Sequence, residues 1–123
     1  MTYPSTEQSM TLTLERPADD TAVLRVVGEV DMLTSPDFRE AITEQLAARR
    51  QRLMIELDGV DFLGTSGLAV LVEARERAAN SSVDLWLVCT TRNVLRPLEI
   101  AGLTDLFHIT DSVPAGAAGT RPE

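Results

Sequence analysis

The 123-residue chain contains no lysine, and all 11 of its basic residues are arginine. Without lysine there is no P-loop, because that motif needs its Gly-Lys-Ser/Thr end to hold phosphates. A single cysteine, Cys89, cannot form an internal disulfide, which fits a reducing compartment. A single histidine, His108, leaves no second one to complete a zinc site. No apolar run approaches the roughly 20 residues a membrane span requires. The opening residues Met1-Thr2-Tyr3-Pro4-Ser5-Thr6-Glu7-Gln8 hold neither a basic nor an apolar region, which argues against a secretory signal. Positive charge is also scarce, with 19 acidic residues against 11 basic for a net −8. Such a surface repels phosphate backbones, so direct nucleic-acid binding is disfavoured. The same charge keeps a chain soluble and steers it toward a partner with a basic face. The expectation is one soluble cytoplasmic domain with no metal, no cofactor and no membrane association.

A domain of this length buries roughly 60–70% of its unfolded surface and needs no staple. Residues 1–9 are polar and without periodicity, and are expected to be a flexible N-terminus outside the fold. Thr11-Leu12-Thr13-Leu14 alternates like a half-buried strand. Pro17-Ala18-Asp19-Asp20-Thr21 is turn chemistry, and Val23 to Val30 is a second strand rich in β-branched residues. So short a connection predicts antiparallel pairing. Thr34-Ser35-Pro36-Asp37 reads as a helix start, with Ser35 as N-cap and Pro36 at the first position. Phe38, Ala41, Ile42 and Leu46 then share one side of the helix.

Leu53 to Leu57 is a short inner strand, and Leu68 to about Ala79 a second helix. Val83 to Cys89 is a further strand. A third helix runs through Val94, Leu95, Leu98 and Ala101, capped by Thr90 or Thr91. Pro97 is awkward there and predicts either a start near Arg96 or a kink. Gly102-Leu103 reads as a glycine C-cap with its hydrophobic contact, and Leu106 to Ile109 as a last strand. Residues 111–123 carry Pro114, Gly116, Gly119 and Pro122 and are expected to be a disordered tail. The predicted class is α/β: a mixed sheet with an antiparallel first hairpin, then strand–helix crossovers, with the helices chiefly on one face.

The stretch from Val60 to Leu68 joins the inner strand to the second helix, and in it Gly64 and Gly67 flank Thr65 and Ser66. Gly64 reads as a residue chosen for backbone freedom, and either hydroxyl as an N-cap. A hydroxyl held there is a cap, a phosphate acceptor, or both. A Ser66–His108 dyad would be the parts of a hydrolase, but nothing in the sequence supplies its geometry.

Three stretches together resemble the STAS family, in particular its small single-domain anti-sigma factor antagonists of bacteria. They are Gly28-Glu29-Val30-Asp31, then Val60-Asp61-Phe62-Leu63-Gly64-Thr65-Ser66-Gly67-Leu68, and then Leu98-Glu99-Ile100-Ala101-Gly102-Leu103-Thr104-Asp105-Leu106-Phe107. The resemblance spans roughly residues 10–110 in the same element order. It implies a protein that binds an anti-sigma factor, often itself a serine kinase, and so releases a sigma factor until phosphorylation ends the binding. By position it implies Ser66, or alternatively Thr65, as the phosphate acceptor. A partner surface would include Asp31, Asp61, Gly64, Thr65, Ser66, Gly67 and Leu68, and a serine phosphatase would be a further partner. Gly64 stands where members with an active switch usually carry Asp. The alternatives are a constitutive scaffold or ligand-binding module of the same fold, and a serine hydrolase.

Overall fold

The computed structural model describes residues 2–3, 9–48 and 50–113. Its strands are β1 (Thr2–Tyr3), β2 (Met10–Ala18), β3 (Thr21–Val30), β4 (Arg52–Leu63), β5 (Asp84–Val88) and β6 (His108–Thr110). Its helices are α1 (Ser35–Ala47), α2 (Thr65–Ser81) and α3 (Arg92–Ile100), followed by a single 3₁₀ turn at Thr104–Leu106. The strands lie side by side in chain order. β1, β2 and β3 are antiparallel neighbours, and β3 through β6 are parallel ones.

Each parallel step is a strand–helix–strand crossover taken in the same direction along the sheet. Right-handed crossovers stepping one way place every helix on one side. One core accordingly holds Phe38, Ile42 and Leu46 of α1, Val70, Leu71 and Ala74 of α2, and Val94 and Leu98 of α3. These pack on the strand residues that alternate toward them, such as Leu24, Val26, Ile55, Leu57 and Leu87. The opposite face carries a smaller cluster of Val23, Met54 and Val88, with Trp86 and Val113 packed on it. Beside it Arg25 pairs with Glu15 at 3.0 Å and with Glu56 at 3.5 Å. The expected mixed sheet with helices on one face is the observed one.

Several local expectations differ. Thr2 and Tyr3, expected outside the fold, pair with Thr13 and Leu12. The outer edge of β2 has free backbone groups, and a short strand satisfies them. Ser9 is also held, its carbonyl accepting from the Glu29 amide at 2.8 Å. At the other end, Val113 packs on the helix-free face rather than starting a loose tail. The remaining residues of that expected tail, 114–123, lie outside the described residues, as do 4–8.

α3 begins at Arg92 and continues through Pro97, whose carbonyl accepts from Ala101 at 3.0 Å. A start near Arg96 is therefore not what the chain does. Proline in a helix costs about 3 kcal/mol, while burying Val94 and Leu98 returns roughly 1.5–3 kcal/mol each. The glycine C-cap is as expected. Gly102 has φ +73°, its amide donates to Glu99, and the Leu103 amide donates to the Leu98 carbonyl at 2.8 Å.

Cys89 is buried just past β5. Burial, reinforced by the negative charges of Asp58 and Glu56, pushes its thiol up to about 11. At pH 8 the folded chain should react with iodoacetamide about 100-fold more slowly than the unfolded chain, because only the thiolate attacks. Equal rates with and without denaturant would contradict this burial.

Candidate functional site

β3 and β4 are parallel neighbours, so their C-terminal ends finish at the same edge of the sheet. Each strand then feeds a helix, and the two helix starts meet there. β4 runs further than the short strand expected, from Arg52 to Leu63, and past Glu56 it no longer pairs with β5. Its register against β3 slips once between Arg25 and Val27 and again at Asp61, which lies between the Gly28–Val60 and Glu29–Phe62 pairs. Slips of this kind bend a strand and re-aim its end. The expected loop reduces to one residue, Gly64.

Gly64 is the N-cap of α2, with φ −87° and ψ 178°. That is ordinary extended backbone, so glycine is not there for conformational freedom. Neither Thr65 nor Ser66 caps the helix, because both already lie inside its first turn and no side chain makes a capping bond. The same correction applies to α1. Its N-cap is Thr34 rather than Ser35, so Ser35 is the first helical residue.

The Ser66 hydroxyl is consequently available, and its partner is another hydroxyl. Ser35 Oγ donates to Ser66 Oγ at 3.0 Å across the junction of the two helix starts. Ser35 is 3% exposed, while Ser66 is half-buried and Thr65 exposed. Gly67 is buried. A Cβ there would lie 2.7 Å from both Leu63 Cδ1 and Val30 Cγ1, so its absence lets the first turn of α2 rest directly on the ends of β3 and β4. Leu68 is half-buried and packs against the core. Asp61 is exposed on the far end of β4.

Asp31 adjoins this group, since the Gly64 amide donates to the carbonyl of Val30 at 2.9 Å. Its Oδ1 accepts from the amides of Leu33 and Thr34, each at 3.0 Å. Thr34 Oγ1 in turn accepts from the Asp31 amide and donates to the Glu29 carbonyl. Asp31 therefore pins the turn that leads into α1, with its half-buried carboxylate engaged in that turn.

Several large apolar residues beyond the sequence candidates are exposed at this end of the molecule. Met32 is 80% exposed, Leu33 66% and Phe62 52%. Ile100 is also exposed and, with Phe62, Pro97, Arg92 and Arg96, lines a groove of ≈ 290 Å³ between the end of β4 and α3. Phe62 and Ile100 thus share one groove, while Met32 and Leu33 are exposed in the turn before α1. The one available signal was Met32-Leu33, two apolar residues in a turn where polar ones are usual. A separate recess of ≈ 380 Å³, lined by Ala78, Val83, Phe107 and His108, sits at the far end of α2. Ala78 is about 18 Å along the helix from Ser66 at 1.5 Å per residue.

His108 does not join Ser66. It is exposed on β6 with its ring 5.0 Å from that of Trp86, on the helix-free side. Through Trp86 it is in register with Met54, nine residues before the end of β4, which at 3.3 Å per residue is about 30 Å away. The dyad is not assembled. Among the described residues, no group of His, Cys, Asp and Glu could hold a metal ion, and no helix is long and apolar enough to cross a membrane.

The uncapped start of α2 makes one substitution informative. Gly64→Asp would supply a capping carboxylate, and the one tight contact of its Cβ would be the edge of the exposed Phe62 ring, at 3.0 Å, with the Val30 carbonyl oxygen at an ordinary 3.6 Å. The expected result is a gain of about 0.5–1 kcal/mol in a urea melt. A loss of stability would mean that the ring cannot yield.

A family model described as the STAS domain matches residues 13–116. The anti-sigma-F factor antagonist RsfB of Mycobacterium tuberculosis is 33% identical over 100 residues, 81% of each chain. Among solved structures, an anti-sigma factor antagonist from Mycobacterium paratuberculosis has a TM-score of 0.79 at 30% identity, covering 89% of this chain and 92% of that one. The anti-sigma factor antagonist SpoIIAA in its unphosphorylated form shares the fold, with a TM-score of 0.69 at 17% identity over 82% of this chain and 89% of that one.

Proposed function

The chain belongs to the STAS domain family, and on that premise we propose that it is an anti-sigma factor antagonist switched by phosphorylation of Ser66. In its unmodified form it binds an anti-sigma factor and so frees a sigma factor in the cytoplasm. A serine kinase, which the anti-sigma factor itself can be, phosphorylates Ser66 and ends the binding. A serine phosphatase restores the binding form.

The observation that carries this reading is the state of Ser66. Its hydroxyl is half-buried in the first turn of α2, is not used as a cap, and meets Ser35 at the start of α1. The exposed Met32 and Leu33 come just before that start, and the exposed Phe62 ring lies against Gly64. Exposed apolar side chains in the segments that flank the two helix starts suit a contact surface, and a hydroxyl at their junction is a point at which to break it. The added group carries roughly −1.5 to −2 charges at neutral pH. The start of α2 tolerates an anion, favouring it by roughly 0.3–1 kcal/mol in an exposed setting. The fold therefore stays intact. The penalty falls on the interface, where the phosphate must be desolvated against the partner close to Asp31 and Asp61. The kinase supplies the ATP and magnesium.

The test is to incubate the chain with a candidate anti-sigma kinase and ATP, then map the modified residue by mass spectrometry. One phosphate on Ser66 is the expected result, and phosphate on Thr65 would move the acceptor by one residue. Binding with no modification would leave the antagonist and remove the switch, which is the constitutive-scaffold alternative.

A further inference from the structure

We infer that Ser35 is the positioning residue for Ser66, aiming its hydroxyl for phosphoryl transfer and then holding the phosphate it receives. The inference rests on the reading of Ser66 as the acceptor and adds the group that prepares it. A serine side chain has three staggered wells, and an accessible one exchanges among them quickly. Ser66 is not free in this way. Ser35 Oγ donates to Ser66 Oγ at 3.0 Å from a position that is 3% exposed. The donor is itself fixed at the first residue of α1, next to the fully buried Thr34 that ties the preceding turn to Asp31 and Glu29. Its location depends on the parallel pairing of β3 and β4, which brings the two helix starts together.

The bond occupies one lone pair of Ser66 Oγ and leaves the other lone pair and the proton available. In the transfer, the free lone pair attacks the γ-phosphorus of a nucleoside triphosphate held by the kinase. The bond from that phosphorus to the β,γ-bridging oxygen breaks, the nucleoside diphosphate leaves with the bonding pair, and the Ser66 proton passes to a base of the kinase. Afterwards Ser66 Oγ is an ester oxygen, a poor acceptor. The Ser35 hydroxyl can turn from it to a charged phosphate oxygen, where a hydrogen bond is stronger. Because Ser35 is buried, it does both without touching the partner.

Two measurements test this on Ser35→Ala, which removes one oxygen and introduces no bulk. With the kinase, kcat for Ser66 should fall roughly 3- to 10-fold while KM changes less than about 2-fold, since a net hydrogen bond has that value and the contact surface is intact. Independently, phosphoserine installed at position 66 during synthesis is titrated by ³¹P NMR. Loss of the Ser35 donor should raise the phosphate's second midpoint by roughly 0.5 unit, because a hydrogen bond to the dianion favours it. Ser35→Thr, which retains the hydroxyl, should restore the lower midpoint. An unchanged midpoint in Ser35→Ala would overturn the role of Ser35. A wild-type chain that no kinase modifies would instead count against Ser66 as acceptor, while the titration of the installed phosphoserine still decides on Ser35.

Discussion

Gly28→Ala is expected to destabilise the chain by about 4 kcal/mol, a large share of the roughly 5–15 kcal/mol a small domain holds in reserve. The residue sits near the end of β3 with φ +108°, where side chains are rarely tolerated. A Cβ would lie 1.9 Å from the Ser9 carbonyl oxygen and 3.1 Å from the Cα of Met10. Both obstacles are backbone, so no rotamer change relieves the clash. Nor can Ser9 retreat cheaply, because its carbonyl accepts the Glu29 amide at 2.8 Å. The effect reaches the site because Val30 and Asp31 follow directly. A thermal melt should show a midpoint lower by about 15 °C. A change below about 1 kcal/mol would mean that the crossing at Ser9 is loose.

The second large effect is on binding. Ser66→Ala should bind the anti-sigma partner within about 2-fold of wild type, since the hydroxyl contributes at most one modest hydrogen bond there. Ser66→Asp carries about half the charge of a phosphate and should bind about 10-fold more weakly. The phosphorylated chain should bind about 100-fold more weakly, which corresponds to roughly 2.7 kcal/mol. The direction follows from charge alone. The surface already holds Asp31 and Asp61 on a chain of net charge −8, so each added negative charge deepens a like-signed potential. Equal affinities for the Ala and Asp variants would favour a constitutive scaffold.

The contrast between Gly28 and Gly64 shows how far the sequence could be read. Both are glycines near the end of a strand, and the local pattern suggests backbone freedom for Gly64 alone. Only Gly28 uses it, and what demands it is a crossing with Ser9 that no local window contains. Gly64 has extended angles open to other residues. The strands and helices were legible because period-2 and helical spacing act within ten or so residues. The strand–helix–strand crossovers of a mixed sheet were legible from the element order, and the parallel pairing of β3 with β4 is what brings the two helix starts together. The bond from Ser35 to Ser66 was not legible. It joins residues 31 apart in sequence and depends on both helices being capped by earlier residues, Thr34 and Gly64, than the hydroxyls that read as caps. Met32, Leu33 and Ile100 were hidden for a related reason, because an apolar residue in a sequence reads first as core.

A phosphate on Ser66 is expected to break an interface without breaking the fold. The most direct test is calorimetric titration of one anti-sigma partner with the unmodified chain and with the chain phosphorylated at Ser66, each first checked for the same melting temperature. The predicted result is an approximately 100-fold weaker Kd for the phosphorylated chain, with melting temperatures agreeing to within a few degrees. Equal Kd values, or weak binding accompanied by a collapsed melting temperature, would contradict it.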